Sequence, residues 1–184
     1  SLNSTTMEEV LKERAPELAA ELRPSLSLAQ WAIGVAPSDM SSLTIPRPKN
    51  SYKWDDVEFP ETLVAAIKPR VQAGDRVALR INLTVLPKDA SPAASFFDVF
   101  ILRDETDESG RPVFIRDGII ISDTRPRHRS RGVRALVIVD DPPLATLLGD
   151  SENPAHTQWQ RDSSHFKGKY IYGPSYIEFV TGSV

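Results

Sequence analysis

The chain has 184 residues, of which 26% are charged and none is cysteine, and its formal net charge at pH 7 is −3. This length suits one domain, or a domain with an appended helical segment, that folds without a metal or disulfide staple. The absence of cysteine excludes disulfide frameworks and thiolate sites. The acidic balance excludes a global basic field that would draw the whole chain to nucleic acid or anionic lipid.

Residues 1–60 are predicted to form an N-terminal helical segment and a proline-rich linker. Apolar residues recur at helical spacing as far as Leu22, and Pro16 bends or splits this helix, which is predicted to end before Pro24. The apolar stretch 26–35 is too short for its period to decide between helix and strand. Prolines at positions 37, 46, 48 and 60 mark the linker, so we place the boundary between residues 60 and 61.

Residues 61–184 are predicted to form one α+β domain that begins with a helix over 61–71, between Pro60 and Gly74. Four strands are then predicted. Gly118 in the third strand indicates a bulge or a close backbone approach, and the nearly continuous apolar character of the fourth indicates a central strand. The connecting loops are too short for helical crossovers, so an antiparallel meander is expected. The strands are 77–85, 96–102, 113–121 and 133–139.

Three helices are predicted after the fourth strand. The first begins at the N-cap Asp141 with two prolines after it and ends at Gly149. The second begins at Ser151 or Asn153, and the last opens at Gly173. The predicted fold class is therefore α+β, with a roughly four-stranded, mainly antiparallel sheet covered by helices and an N-terminal helical segment.

An arginine-rich loop is predicted between the third and fourth strands. Guanidinium groups match phosphate and carboxylate bidentately, so the functional interpretation is an anion or partner contact. The structural interpretation is a solvated loop whose arginines pair with the acidic residues of the neighbouring loop 104–108. The members of the cluster are Arg125, Arg127, His128, Arg129, Arg131 and Arg134.

A second basic segment lies near the end of the chain, where Lys167 and Lys169 flank Gly168 and are candidates for contact with an anion. Aromatic residues such as Trp159 and Tyr170 are interleaved with basic ones in this segment, which is typical of surfaces that bind single-stranded nucleic acid. The same pattern is more common where amphipathic side chains line the edge of a fold. Both interpretations remain open at this point.

No motif in the sequence identifies an enzyme. The chain has no G-x-S-x-G elbow, no phosphate-binding glycine loop and no H-E-x-x-H motif, and its three histidines lack metal-ligand spacing. We therefore predict a non-catalytic chain with no metal site and no cofactor of its own. Because it opens with Ser1 rather than methionine, we expect a piece of a longer polypeptide, and because it lacks an apolar span or a secretory signal, a cytoplasmic protein without membrane contact.

The run VFIRDGIIISD, followed by GVRALVIVDDPPLATLLGDSENPAHTQW, resembles the region after the ATP-binding domain in the bacterial superfamily of gyrase, heat-shock chaperones, histidine kinases and MutL. The similarity covers roughly residues 76–184 and is greatest to large, uncharacterised ATP-binding members. In the chaperone branch, a strand similar to 113–118 leads to a loop and a strand that ends in paired acids before a leucine-rich helix.

This resemblance implies a transducer-type α/β module that couples nucleotide state to a partner or to dimer rearrangement. It implies other domains of the same parent protein and a second copy of the chain as partners. Modules of this kind often extend a basic residue to the γ-phosphate of ATP in the neighbouring domain, and Arg127, Arg129 and Lys167 are candidates. The superfamily's own ATP-site motifs are absent, so ATP and magnesium would belong to the parent protein.

The alternative function is a nucleic-acid-binding domain that uses the Arg125–Arg134 loop together with the basic and aromatic C-terminal segment. The two functions differ in a property that is simple to measure. Binding dominated by the nucleic acid backbone weakens steeply with salt, whereas nucleotide coupling requires the ATP-binding domain.

Overall fold

A computed structural model describes residues 13, 16–45, 54, 57, 59–126 and 130–184. The chain divides into two compact units, Ser1–Val35 and Ala36–Val184. The elements of the described residues, in chain order, are α1 Pro16–Gly34, a 3-10 turn Pro37–Asp39, β1 Ser41–Thr44, α2 Glu61–Ala73, β2 Val77–Val85, β3 Ala93–Arg103, β4 Val113–Arg116, β5 Ile119–Ile120, β6 Val133–Val139, α3 Pro142–Asp150, α4 Ser164–Lys167 and α5 Gly173–Thr181.

The helix in the first unit is longer than predicted. We expected it to end before Pro24, but α1 continues through Pro24 to Gly34 and takes in most of the stretch that the sequence left undecided. Leu28 and Ala32, four residues apart, are both buried. Apolar burial at helical spacing thus outweighs the backbone hydrogen bond that the proline removes. None of the described helices is long and apolar enough to cross a membrane.

The second unit confirms the α+β class but not the four-stranded meander. Within the described residues, six strands form one mixed sheet in the order β1-β2-β3-β6-β4-β5. β1 is parallel to β2, and it precedes the boundary that the sequence placed after residue 60. β6 lies between β3 and β4, antiparallel to the first and parallel to the second, as its apolar sequence predicted for a central strand.

The predicted third strand, 113–121, is a hairpin and not one strand. β4 and β5 pair through Ile115 with Ile120 and Arg116 with Ile119, and only Asp117 and Gly118 connect them. Both connecting residues have positive φ, 47° and 75°, as a two-residue turn of type I′ requires. The expectation of a bulge at Gly118 is therefore wrong, because Asp-Gly is a preferred sequence for this turn.

Helices α3, α4 and α5 cover one face of the sheet and form a single apolar core with it. Ile81 of β2 and Phe97 of β3 lie opposite each other on this face. The last helix is fixed by Tyr176, whose hydroxyl donates to the carbonyl of Thr84 at 2.8 Å and accepts from the N–H of Leu86 at 3.0 Å. Burial raises the pKa of Tyr176, so the neutral form that makes both bonds persists.

Two of the predicted C-terminal features differ in the structure. Asp141 does precede α3, but its carboxylate does not bond the helix backbone and accepts from the hydroxyl of Ser95 at 2.7 Å. That hydroxyl in turn accepts the N–H of Leu144 at 3.1 Å. The helix expected to start at Ser151 or Asn153 does not form, and residues 151–163 adopt turns and an isolated bridge between Glu152 and Trp159.

Candidate anion-binding site

The predicted basic residues that the structure describes do not form one patch. Arg134 pairs with Asp104, and both side chains are mostly buried. Hydrogen bonds from the Thr106 hydroxyl and from Arg134 hold the pKa of Asp104 below its usual range. Arg134 is therefore engaged in the structural pairing with the 104–108 loop that the sequence offered as one interpretation.

Arg131 lies in the turn that leads into β6, beside Glu105 and Arg103 in a shallow depression. The loop approaches Gly110 closely, since a Cβ on Gly110 would lie 2.7 Å from the backbone nitrogen of Arg131. The remaining three members of the predicted loop, Arg127, His128 and Arg129, lie outside the described residues.

Lys167 and Lys169 lie near the opposite end of the strands. The backbone carbonyl of Lys169 accepts from the N–H of Lys88 at 2.8 Å just beyond the end of β2, whereas Arg134 lies where β6 begins, and the register of β3 with both strands places these two positions at opposite ends of the sheet's strands. Lys167 pairs with Asp162 at 2.8 Å and Lys169 with Asp150 at 2.6 Å. Both lysines thus have a carboxylate partner within this chain.

Arg125 is the predicted residue that lies in a pocket suited to an anion. The pocket has a volume of about 410 Å³ and also contains Arg161 and Glu178. Arg125 is exposed and forms no ion pair with any residue that the structure describes. The other lining residues are Thr124, Gln158, Trp159, Ile177 and Thr181.

Thr124 supplies an unusual group to this pocket. Its hydroxyl oxygen is buried and has no hydrogen-bond partner among the described residues. A buried hydroxyl without a partner costs about 1–3 kcal/mol, so most such groups in folded proteins are satisfied. Thr124 also lines the pocket, and rotation of its hydroxyl towards an anion beside Arg125 would give the hydroxyl an acceptor and remove that cost.

The charge of the pocket is positive but not strongly so. Arg161 contacts the Glu178 carboxylate of α5 through its guanidinium, and Arg125 contributes the second positive charge. Two guanidinium groups against one carboxylate leave a net charge of about +1. The arrangement favours a compact anion that binds Arg125 and shares Arg161 with Glu178.

The segment 151–160 carries Gln158 and leads to Arg161, and its backbone is held by local hydrogen bonds in place of a helix. The Asn153 side-chain oxygen accepts the N–H groups of Thr157 at 2.9 Å and Gln158 at 3.3 Å, an Asx-type arrangement that competes with helix formation. The N–H of Asp123 donates to the carbonyl of Thr157 at 2.8 Å and fixes the segment beside Thr124.

A buried ion pair anchors this segment to the sheet. Glu152 is 2% exposed and accepts two hydrogen bonds from the guanidinium of Arg116, which is 11% exposed on the core face of β4. Burial alone would raise the pKa of Glu152, but the hydrogen bonds from Arg116, His156 and Trp159 outweigh it and lower the pKa. Glu152 therefore remains ionised and fixes one end of the segment.

His156 lies outside the pocket. Its Nδ1 is 2.7 Å from Glu152, and its ring is 60% exposed. Among the described residues that line the pocket there is no imidazole, and the carboxylate of Glu178 is engaged by Arg161. No cluster of three potential metal ligands occurs in the described part of the chain. The described lining is thus suited to binding an anion.

Comparison with known proteins gives no neighbour for this chain: no family model, curated protein or solved structure matches it.

Only part of this pocket could be predicted from the sequence. Arg125 was predicted, but Arg161 is separated from it by 35 intervening residues and no spacing rule links the two. Nothing in the sequence marked Thr124 or Glu178 as a site residue, since a threonine in a loop and a glutamate on a helix are ordinary surface residues. The hydrogen bond from Asp123 to Thr157 joins the 121–126 loop to segment 151–160, and the pair of Arg161 with Glu178 adds α5 to the site.

Proposed function

We propose that this chain is a non-catalytic regulatory or transducer module of a larger bacterial ATP-binding protein. It couples nucleotide state to contacts with other domains of that protein or with a second copy. The pocket of Arg125, Arg161 and Thr124 receives the anionic group through which this coupling acts. The parent protein holds ATP and magnesium, and the module works in the cytoplasm.

The observation that carries the anion part of the proposal is the buried hydroxyl of Thr124 beside an arginine that has no ion-pair partner in the described residues. A phosphate oxygen can accept from the hydroxyl and from a guanidinium simultaneously. The transducer part is supported by the likeness of residues 76–184 to the region after the ATP-binding domain. Of the basic residues with a described environment, Arg125 replaces Lys167 as the favoured anion contact, since Lys167 already pairs with Asp162.

The proposal is tested by titrating the chain with inorganic phosphate, pyrophosphate and ATP while amide resonances are followed by NMR. We expect shifts around residues 124–125 and 158–161, and no hydrolysis of ATP. Arg125→Ser should weaken binding roughly 10-fold to 100-fold, the range for losing a charge-assisted hydrogen bond. Arg131→Ser is the matched control, because it removes the same charge from a neighbouring part of the chain.

The variant Thr124→Val tests the role of the hydroxyl in anion binding separately from its effect on the stability of the fold. Because the hydroxyl is buried and unpartnered in the described structure, its replacement by a methyl group should leave the free energy of unfolding unchanged or raise it. The same change should weaken pyrophosphate binding. Equal affinities for the wild type, Thr124→Val and Arg125→Ser would contradict the assignment of this pocket.

Nucleic acid binding, the alternative function, has less support. Two aromatic residues of the C-terminal segment are in the core, with Trp159 4% and Phe166 0% exposed, whereas Tyr172 is 42% exposed and could stack on a base. The hydroxyl of Tyr170 donates to Asp150 at 2.7 Å, and the ring packs on the core. A steep fall of affinity for single-stranded DNA with rising salt, at affinities above that for pyrophosphate, would favour this alternative.

A further inference from the structure

A second cavity, far more apolar than the anion pocket, lies in the same unit between α2 and the sheet. Its volume is about 500 Å³, within the range of roughly 300–1,000 Å³ that small-molecule sites occupy. Leu79 and Val99 form its floor on the core face, and Leu63 and Ile67 of α2 form a wall. Trp54 closes one side, where its ring stacks on Phe59 with centroids 6.0 Å apart.

The cavity exists because α2 does not settle onto the sheet. None of the residues of α2 is buried, although the helix carries Leu63, Val64 and Ile67. Beneath it, Leu79 is only partly buried, whereas its neighbours on the same face of β2, Val77 and Ile81, are 0% and 4% exposed. A core-facing leucine on an interior strand is normally covered completely, so this part of the sheet has an apolar space that its own chain leaves open in the described structure.

One charged side chain stands at the mouth of the cavity. Lys68 is the charged residue among those that line it, and it is one helical turn from Val64, which is 43% exposed. Lys68 forms no ion pair with any residue that the structure describes. Among the described lining residues, an apolar interior with one cation at its opening matches a molecule that has an aliphatic body and an anionic end.

We propose that this cavity binds a medium- or long-chain carboxylate, with its aliphatic chain over Leu79 and its carboxylate at Lys68. The proposal is independent of the anion pocket at Arg125, which lies among different residues of the unit. Burial of the chain supplies most of the affinity, and the ion pair at the exposed mouth orients the ligand and adds little.

Trp54 reports on occupancy, because a bromine-substituted fatty acid quenches the fluorescence of a tryptophan that it contacts. We expect saturable quenching by bromine-substituted dodecanoate, and its loss in Trp54→Phe. In competition with unlabelled octanoate, decanoate and dodecanoate, affinity should rise by up to about four-fold for each added methylene until the cavity is full. Absence of saturable quenching, or affinities that do not depend on chain length, would overturn the proposal.

Two comparisons test whether the carboxylate of the ligand lies at Lys68. Lys68→Met should weaken dodecanoate roughly three-fold to five-fold, the scale of an exposed ion pair, while Lys88→Met, which lies outside the cavity, should change nothing. Dodecanol should bind the wild type and Lys68→Met equally. If Lys68→Met binds dodecanoate as tightly as the wild type does, the carboxylate assignment is wrong.

Leu79→Phe places a larger side chain in the cavity and should block the ligand while the chain remains folded, because the space over Leu79 is already open. Tight dodecanoate binding by folded Leu79→Phe would place the ligand elsewhere. Should this variant not fold, the comparison of dodecanoate with dodecanol on the wild type and Lys68→Met still decides the question.

Discussion

Replacing Arg116 by methionine should destabilise the protein severely, because it leaves the carboxylate of Glu152 buried without its principal partner. Glu152 is 2% exposed and Arg116 11%, so solvent screening does little to reduce the effect. Removal of one partner from a buried ion pair costs about 3–5 kcal/mol, a large share of the roughly 5–15 kcal/mol that stabilises a typical domain. Urea unfolding followed by circular dichroism at pH 7 measures the loss.

The loss of stability in Arg116→Met should depend on pH in a direction that follows from the pKa of Glu152. In the wild type the pKa of Glu152 is lowered, so its contribution to stability is present above its ordinary pKa and is lost as pH falls through the lowered value. In Arg116→Met, burial should dominate and raise this pKa, so the variant loses stability as pH rises. The difference between the two proteins should therefore shrink between pH 7 and pH 5.

A double-mutant cycle completes the test. Arg116→Met combined with Glu152→Gln removes both charges and should cost clearly less than the sum of the single changes. Arg103→Met is the control, since its pair with Glu105 is 45% and 77% exposed and should be worth about 1 kcal/mol or less. Additive single effects, or a loss for Arg116→Met that is constant with pH, would refute the account of the buried pair.

Two further changes test the local structure by thermal unfolding. Ser95→Ala should cost about 1–3 kcal/mol, because it leaves the buried N–H of Leu144 without the acceptor that Ser95 provides, and an unchanged midpoint would show that this bond does not stabilise α3. Gly118→Ala should cost about 1 kcal/mol at φ 75°, and Gly118→Asn less, since asparagine tolerates this conformation; equal midpoints for both variants would contradict the assigned turn.

Local sequence signals predicted the elements whose boundaries depend on neighbouring residues. α2 begins directly after Pro60 and ends before Gly74, which has a left-handed conformation. The alternation of β2 appears in its burial, with Ile81, Leu83 and Val85 inward and Asn82 and Thr84 less buried. These features are properties of a few adjacent side chains and are therefore visible in one sequence.

Long-range pairing was not predictable in the same way. β6 lies between β3 and β4 in the sheet. This position depends on which strand buries the most apolar surface, and no local pattern in the sequence identifies the strands with which β6 pairs. The turn at Asp117 and Gly118 did have a signal, the Asp-Gly pair, but the apolar residues on both sides suggested a continuous strand. In segment 151–160, the side chain of Asn153 bonds the backbone that a helix would have used.

In the candidate site, too, the sequence predicted individual basic residues but not the groups with which they interact. The predicted Arg125 is in the pocket, but Arg134 is held by Asp104, and the two lysines are held by Asp150 and Asp162. The partners of Arg134 and Lys169 come from distant parts of the chain, so the sequence alone could not separate an available basic residue from an engaged one. Arg127, His128 and Arg129 lie outside the described residues, and their roles stay predictions.

The bonds from Tyr176 to Thr84 and Leu86 join positions about ninety residues apart, and this has a consequence for biosynthesis. A nascent chain that has left the ribosome only as far as α3 already contains every described strand of the sheet, yet it lacks α5, whose Tyr176 and Phe179 belong to the same core cluster as Leu83 and Val85. The core of this unit is therefore incomplete until α5 emerges, and up to that point its apolar strands are exposed to aggregation.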